Sequence, residues 1–150
     1  MIDIPAPIRL GDTQLDDDHA ELFRLSRSLL DVSSDGALHA LESILQEARD
    51  HFAREDADLH RLGGNNAICH IDEHACVLKS LNEVHGMLRD PATSPELAMR
   101  LVSSLSLELL RWLPVHVSEM DAGLAAVRSK SRFGGVAVLP PKSTLASSKP

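Results

Sequence analysis

Aromatic residues and cysteine are scarce in this 150-residue chain, which has one Trp, three Phe, two Cys and no Tyr. Cys69 and Cys76 are seven residues apart on one expected helix, so their Cα atoms would lie about 10 Å apart, too far for a disulfide. No apolar run approaches the roughly 18 residues that a membrane span requires. The first ten residues also lack the features of a secretory signal. We therefore expect a cytoplasmic protein that does not interact with membranes.

Acidic residues are almost absent from the C-terminal end. From residue 128 onward the chain has five basic residues and no acidic one, although its net charge is −7. The preceding body is therefore strongly acidic, which argues against nucleic-acid binding. Residues 129–150 are rich in Ser, Gly and Pro, with a short apolar stretch at 136–139. We expect residues 1–128 to form one helical domain and 129–150 a disordered tail; docking of the tail on the domain or on a partner protein is the alternative.

Apolar residues recur at helical rather than strand-like spacing and predict four helices. The expected helices cover about 16–31, 37–62, 67–88 and 94–127. Gly63-Gly64-Asn65-Asn66 should end the second helix, and Ser94 followed by Pro95 should open the fourth. Short connections between four long helices predict an all-α fold, an antiparallel up-down-up-down four-helix bundle.

Histidines and acids recur on these helices at spacings that suit metal binding. A histidine and an acid four residues apart lie on one helix face. Three clusters and one isolated histidine, one per helix, would converge at the centre of the bundle. The candidate metal ligands are His19, His51, Glu55, His70, His74, His116 and Asp121.

The number of candidate ligands separates the possible kinds of metal site. A structural zinc site needs four ligands, so seven are too many for one ion. Ferritin-like bundles use Glu-x-x-His pairs, and the chain has no such pair. A histidine-rich dinuclear centre remains. If Glu55 and Asp121 each bridge the two ions beside a shared oxo or hydroxo group, all but one position of two octahedral ions are filled. A small molecule could bind at that open position.

The spacing between His116 and Asp121 does not suit a regular α-helix. Residues five apart are separated by about 140° around the helix axis and do not share a face. We therefore predict a π-type turn between them, a distortion that is frequent at functional sites. Pro114, just upstream, removes one backbone hydrogen bond and would ease the distortion.

Three further histidines serve as internal controls for the metal hypothesis. His39 and His60 are out of phase with His51 on the second helix, so we expect both to be solvated. His85 is in phase with His74 but about 16 Å further along the helix, near the end of the bundle. None of the three should contact metal.

Four ordered motifs resemble those of the hemerythrin family, in its bacterial single-domain type. They are Asp-x-x-His at 16–19, His-Phe-x-x-Glu-Asp at 51–56, His-x-x-x-His at 70–74 and Trp-Leu-x-x-His-x-x-x-x-Asp at 112–121. The resemblance covers about residues 11–127. It implies that one iron is bound by His70, His74 and His116 and the other by His19 and His51, with Glu55 and Asp121 bridging.

The resemblance also implies a function. Two iron ions, cycling between Fe2+ and Fe3+ and sharing an oxo or hydroxo bridge, would bind O2 reversibly at the iron that has two histidines. The matching pocket residues are Phe52, Trp112, Leu113 and Val117, and no catalytic residue is needed. Oxygen storage, delivery or sensing is the expected role. The alternatives are a diiron enzyme acting on peroxide or nitric oxide, an iron store, or a sensory module signalling through the tail.

Overall fold

Helices account for all the regular secondary structure in residues 3–132, the part of the chain that the computed structural model describes. The elements are α1 (Thr13–Ser28), α2 (Ala37–Leu62), α3 (Asn65–Arg89), α4 (Pro95–His116), a π-helical segment (Val117–Asp121) and α5 (Ala122–Arg132). The last three follow one another without a break and form the fourth rod of the bundle. Helices α1 and α3 each pack against both α2 and α4. The predicted all-α four-helix bundle is confirmed.

The first helix begins earlier than predicted because a different aspartate caps it. The side chain of Asp12 accepts a hydrogen bond from the backbone N–H of Leu15, so the helix begins at Thr13 and not near Asp16. The carboxylate of Asp16 instead accepts the backbone N–H groups of Leu10 and Gly11. Asp16 therefore connects the N-terminal arm, residues 3–11, to α1 through these hydrogen bonds.

The connection between α2 and α3 consists of two glycines. Gly63 and Gly64 have φ angles of 65° and 90°, which side chains with a Cβ rarely adopt. We had expected both asparagines to lie in the turn. Helix α3 instead begins at Asn65, so both belong to the helix. So short a link places the C-terminal half of α2 beside the N-terminal half of α3.

The helices bury an apolar core on the inner faces of the bundle. It includes Leu15, Leu22, Leu41, Ile44, Leu45, Phe52, Leu81, Val102 and Leu113. A layer of histidines and acids is buried among these apolar residues. Burying polar groups is costly unless each is paired, so this layer requires its own compensation.

The fourth rod extends past its expected end near residue 127. Arg128 of α5 reaches Asp58 of α2, with nitrogen-to-oxygen distances of 2.8 and 2.9 Å. Arg132 lies 3.5 Å from Asp12. These ion pairs join the end of α5 to α2 and to the beginning of α1. The rest of the expected tail, residues 133–150, lies outside the described residues. No helix within 3–132 is both long and apolar enough to cross a membrane.

Leu81→Ala tests the core of the bundle, because Leu81 is 0% exposed. The truncation should lower the free energy of unfolding by about 2–5 kcal/mol, since it loses apolar burial and leaves a cavity. Leu62→Ala is the matched control: this leucine is 49% exposed, and its loss should cost less than about 0.5 kcal/mol. Urea denaturation measures both. Equal costs for the two variants would contradict the packing described above.

Candidate metal centre

All seven candidate ligands meet at the centre of the bundle, and none of these residues is more than 4% exposed. Their ligand atoms form two groups in which all atoms lie within 4.8 Å of one another. The groups are His70, His74, His116, Glu55 and Asp121, and His19, His51, Glu55 and Asp121. Both carboxylates belong to both groups. The arrangement therefore offers two adjacent metal positions that share two acids.

The first group surrounds the Nε2 atom of His116. That atom lies 3.2 Å from the Nε2 atoms of both His70 and His74. Asp121 Oδ1 lies 2.9 Å from Nε2 of His70 and 3.1 Å from Nε2 of His116. Glu55 Oε2 lies 3.3 Å from Nε2 of His74. Three imidazole nitrogens and two carboxylate oxygens thus face one small volume.

The second group uses the same two acids. Glu55 Oε2 lies 3.1 Å from Nε2 of His51, and Asp121 Oδ2 lies 2.8 Å from Nε2 of His19. Asp121 therefore turns one oxygen towards each group. A bridging carboxylate between two metal ions has this orientation.

Several of these short approaches lack hydrogen-bonding geometry. Both ring nitrogens of His19 and both carboxylate oxygens of Glu55 and of Asp121 are buried and have no hydrogen-bond partner within residues 3–132. Buried polar atoms are almost always hydrogen-bonded. Unpaired nitrogen and oxygen atoms that lie so close together therefore fit a cation. Imidazole and carboxylate are ligands that suit iron and other transition metals.

The contacts at Nδ1 of His74 and His116 also favour a cation at their Nε2 atoms. Nδ1 of His74 lies 2.7 Å from Asp56 Oδ1, and Nδ1 of His116 lies 2.8 Å from Glu73 Oε1. A neutral imidazole that donates from Nδ1 presents a lone pair at Nε2. The two Nε2 lone pairs would then face each other at 3.2 Å. A metal ion between them converts this repulsion into ligation.

The two shared acids are ionised despite their burial. Burial opposes ionisation of Asp121, but His116, His19 and His70 outweigh it and hold its pKa well below the ordinary value. For Glu55, burial is likewise outweighed, chiefly by His51 and His74, and its pKa is also lowered. Two buried negative charges require positive charge beside them, which metal ions can supply.

The predicted π-type turn between His116 and Asp121 is confirmed. The π-helical segment covers Val117–Asp121, and Pro114 lies within the helical turn before it. The wider turn brings His116 and Asp121 to the same side of the rod. Asp121 Oδ1 can therefore approach Nε2 of His116 although the two residues are five apart.

Three acids outside the ligand set each support one histidine. We call Asp18, Asp56 and Glu73 the supporting acids. Asp18 Oδ2 lies 3.0 Å from Nδ1 of His51 and accepts a 2.7 Å hydrogen bond from Arg54. Burial opposes ionisation of Asp18, but the hydrogen bonds from His51 and Arg54 lower its pKa to about 2. An acid on Nδ1 of a ligating histidine fixes its tautomer and orientation.

The supporting acids follow the order of the helices. Asp18 on α1 supports a histidine on α2, Asp56 on α2 supports one on α3, and Glu73 on α3 supports His116 on α4. The order stops there, because the buried Nδ1 of His19 has no partner in the described part of the chain. Within residues 3–132, each donor group therefore contains one histidine without a supporting acid, His19 in one and His70 in the other.

Sequence reasoning missed all three supporting acids and assigned Asp18, with its neighbours, to the start of α1. A usable signal was present, because each of these acids directly precedes or follows a candidate ligand in the sequence. Successive helical residues point about 100° apart. An acid next to an inward-facing ligand therefore points towards the neighbouring helix.

Aromatic rings cover one side of the histidine cluster. Phe52 stacks on His74, with ring centroids 4.1 Å apart, and Trp112 stacks on His116 at 4.3 Å. The two aromatic rings meet edge to face at 6.0 Å. Two of the four expected pocket residues thus contact the site. The other two, Leu113 and Val117, are buried, and each directly follows Trp112 or His116 in the sequence.

The three control histidines lie where predicted. His39 and His60 are exposed. His85 is partly buried, and its Nε2 lies 3.2 Å from Glu42 Oε1. None of them belongs to either group of candidate ligands.

Comparison with known families agrees with this geometry. The family model of the hemerythrin HHE cation-binding domain matches residues 10–127. The chain belongs to the hemerythrin family. The hemerythrin match includes every residue of both donor groups, and together they indicate a diiron-type metal site. No curated protein and no solved structure shows significant similarity to the chain.

Replacing a candidate ligand should change the metal content of the purified protein. We expect His74→Ala to lose at least one of the two metal ions, because its Nε2 belongs to the three-histidine group. His60→Ala removes an exposed histidine from α2 and should keep both ions. Elemental analysis of the reconstituted proteins gives the metal-to-chain ratio. Equal ratios in the two variants would argue against the site.

Proposed function

We propose that the protein binds O2 reversibly at a non-heme diiron centre. The observation that supports this most strongly is that the two donor groups share Glu55 and Asp121. One iron would be held by His70, His74 and His116 and the other by His19 and His51. The two acids would bridge the ions beside an oxo or hydroxo group. When bound, the ferrous pair supplies two electrons and an open position for O2.

The two donor groups are not equivalent. One group contains three histidines and the other contains two, with the same two carboxylates in each. The two-histidine position therefore has fewer protein ligands. We assign the open position, and with it O2 binding, to the iron beside His19 and His51.

The surroundings suit a small apolar molecule. A cavity of about 10 Å³ lies among the core side chains of the bundle, about the size of one water-sized molecule. Phe52, Trp112 and Leu113 contribute to its lining, in which Ser26 is the one residue with a hydroxyl and no titratable side chain occurs. The indole N–H of Trp112 donates its hydrogen bond to Glu73 and so offers none to a molecule in the cavity.

The same lining favours a carrier over an enzyme. Peroxide or nitric-oxide chemistry benefits from a positioned acid or base that delivers protons, and the cavity lining contains neither. A dry pocket also hinders the proton entry that would release reduced oxygen. Storage, delivery and sensing of O2 are all consistent with such a site.

The test is an anaerobic titration followed by optical spectroscopy. The iron-loaded protein is reduced without oxygen, O2 is added, and the charge-transfer bands are recorded. We expect a persistent oxygenated spectrum that disappears when O2 is removed and returns when it is added again. His60→Ala should behave like the parent protein. Rapid oxidation with continuous turnover of peroxide would replace the carrier by the enzyme.

A polar substitution in the cavity should shorten the life of the oxygenated form. Leu113 is buried and lines the cavity, so Leu113→Asn should admit water and accelerate autoxidation by about tenfold, equivalent to about 1.4 kcal/mol of barrier. Val115→Asn on the same helix is the control, because Val115 is 53% exposed. Stopped-flow decay of the oxygenated spectrum measures both rates. Unchanged decay in Leu113→Asn would contradict the pocket assignment.

A further inference from the structure

Glu73 differs from the other two supporting acids in what it contacts. Its Oε1 atom accepts a hydrogen bond from Nε1 of Trp112 at 2.8 Å and lies 2.8 Å from Nδ1 of His116. Asp56 contacts one imidazole, and Asp18 contacts one imidazole, Arg54 and Gln14. Glu73 alone among the supporting acids therefore joins a candidate metal ligand to a residue of the proposed pocket.

The contacts of Glu73 connect two helices at one point. Glu73 lies on α3, whereas Trp112 and His116 lie one turn apart on α4, with their rings stacked at 4.3 Å. A single oxygen that accepts from both rings fixes the position of each ring relative to the other. A displacement of Trp112 would therefore disturb His116 as well.

Trp112 lies between the inner cavity and the surface of the protein. A surface groove of about 340 Å³ is lined by residues of α3 and α4, including Glu73. Val77, Leu109 and Trp112 line this groove and also line the inner cavity. These three side chains form the wall between the two spaces. The indole is held in that wall by its hydrogen bond to Glu73, whose side chain is 31% exposed at the mouth of the groove.

We propose that Glu73 is a positioning residue that orients His116 for metal binding and, with the same oxygen, holds Trp112 as the wall between the surface groove and the inner cavity. The inference rests on the proposed metal site. It assigns Glu73 two tasks, one on the ligand and one on the pocket. A substitution at Glu73 should therefore alter both, whereas a substitution at Asp56 should alter the metal site alone.

The single tryptophan makes the second task directly measurable. Because the chain has one Trp, the zinc-loaded, diamagnetic protein gives one indole N–H signal in a proton–nitrogen correlation spectrum. Exchange of that proton with D2O should be at least about tenfold faster in Glu73→Ala, the effect of losing one hydrogen bond to a charged group. Glu73→Gln retains an oxygen acceptor and should keep the exchange within about threefold of the parent rate. Asp56→Ala should leave it unchanged.

Zinc affinity tests the first task on the same proteins. Competition with a chelator should show weaker zinc binding, by about tenfold or more, in both Glu73→Ala and Asp56→Ala, because each loses the acid that orients a histidine. Glu73→Gln should lose less than Glu73→Ala, which separates positioning from a general loss of stability. Unchanged indole exchange in Glu73→Ala, equal acceleration in Asp56→Ala, or unchanged zinc affinity in Glu73→Ala would each overturn the proposal.

The two proposals can fail separately. The indole exchange and the zinc competition need neither iron redox chemistry nor O2. A protein that passes both tests but shows no reversible oxygenated spectrum would refute O2 binding and leave the role of Glu73 standing. Reversible oxygenation with indole exchange independent of Glu73 would refute the role of Glu73 alone.

Discussion

The structure depends on one electrostatic constraint, which is the convergence of imidazole nitrogens and ionised carboxylates in a dry interior. Nε2 of His116 faces two other Nε2 atoms at 3.2 Å, and the oxygens of Glu55 and Asp121 are buried without hydrogen-bonding geometry. Without positive charge such a layer would destabilise the bundle. A pair of metal ions bound between these atoms would supply that charge. The four rods, their register and the π-helical segment all serve to bring these atoms together.

Support for the histidines is distributed around the bundle in a definite order. Each of the first three rods provides an acid that contacts a histidine on the next rod. The fourth rod provides none for His19, whose Nδ1 is buried without a partner within residues 3–132. The two candidate metal positions differ in the number of histidines, three against two.

Much of this architecture could be predicted because it depends on spacing along single helices. The pairs His51 with Glu55 and His70 with His74 followed from four-residue spacings, and the π-type turn followed from the five-residue spacing of His116 and Asp121. What escaped prediction depends on relations between elements. Asp12 rather than Asp16 begins α1, because Asp16 is occupied by the N-terminal arm. The supporting acids act between helices, and the rotation of neighbouring helices cannot be inferred from the periodicity of either one.

Anomalous diffraction at the iron absorption edge, from crystals of the iron-loaded protein, would locate the metal ions independently of the protein atoms. We predict two iron peaks, one among His70, His74 and His116 and one beside His19 and His51, with Glu55 and Asp121 between them. A single peak enclosed by one set of ligands would contradict this prediction. So would two peaks that do not share the two carboxylates.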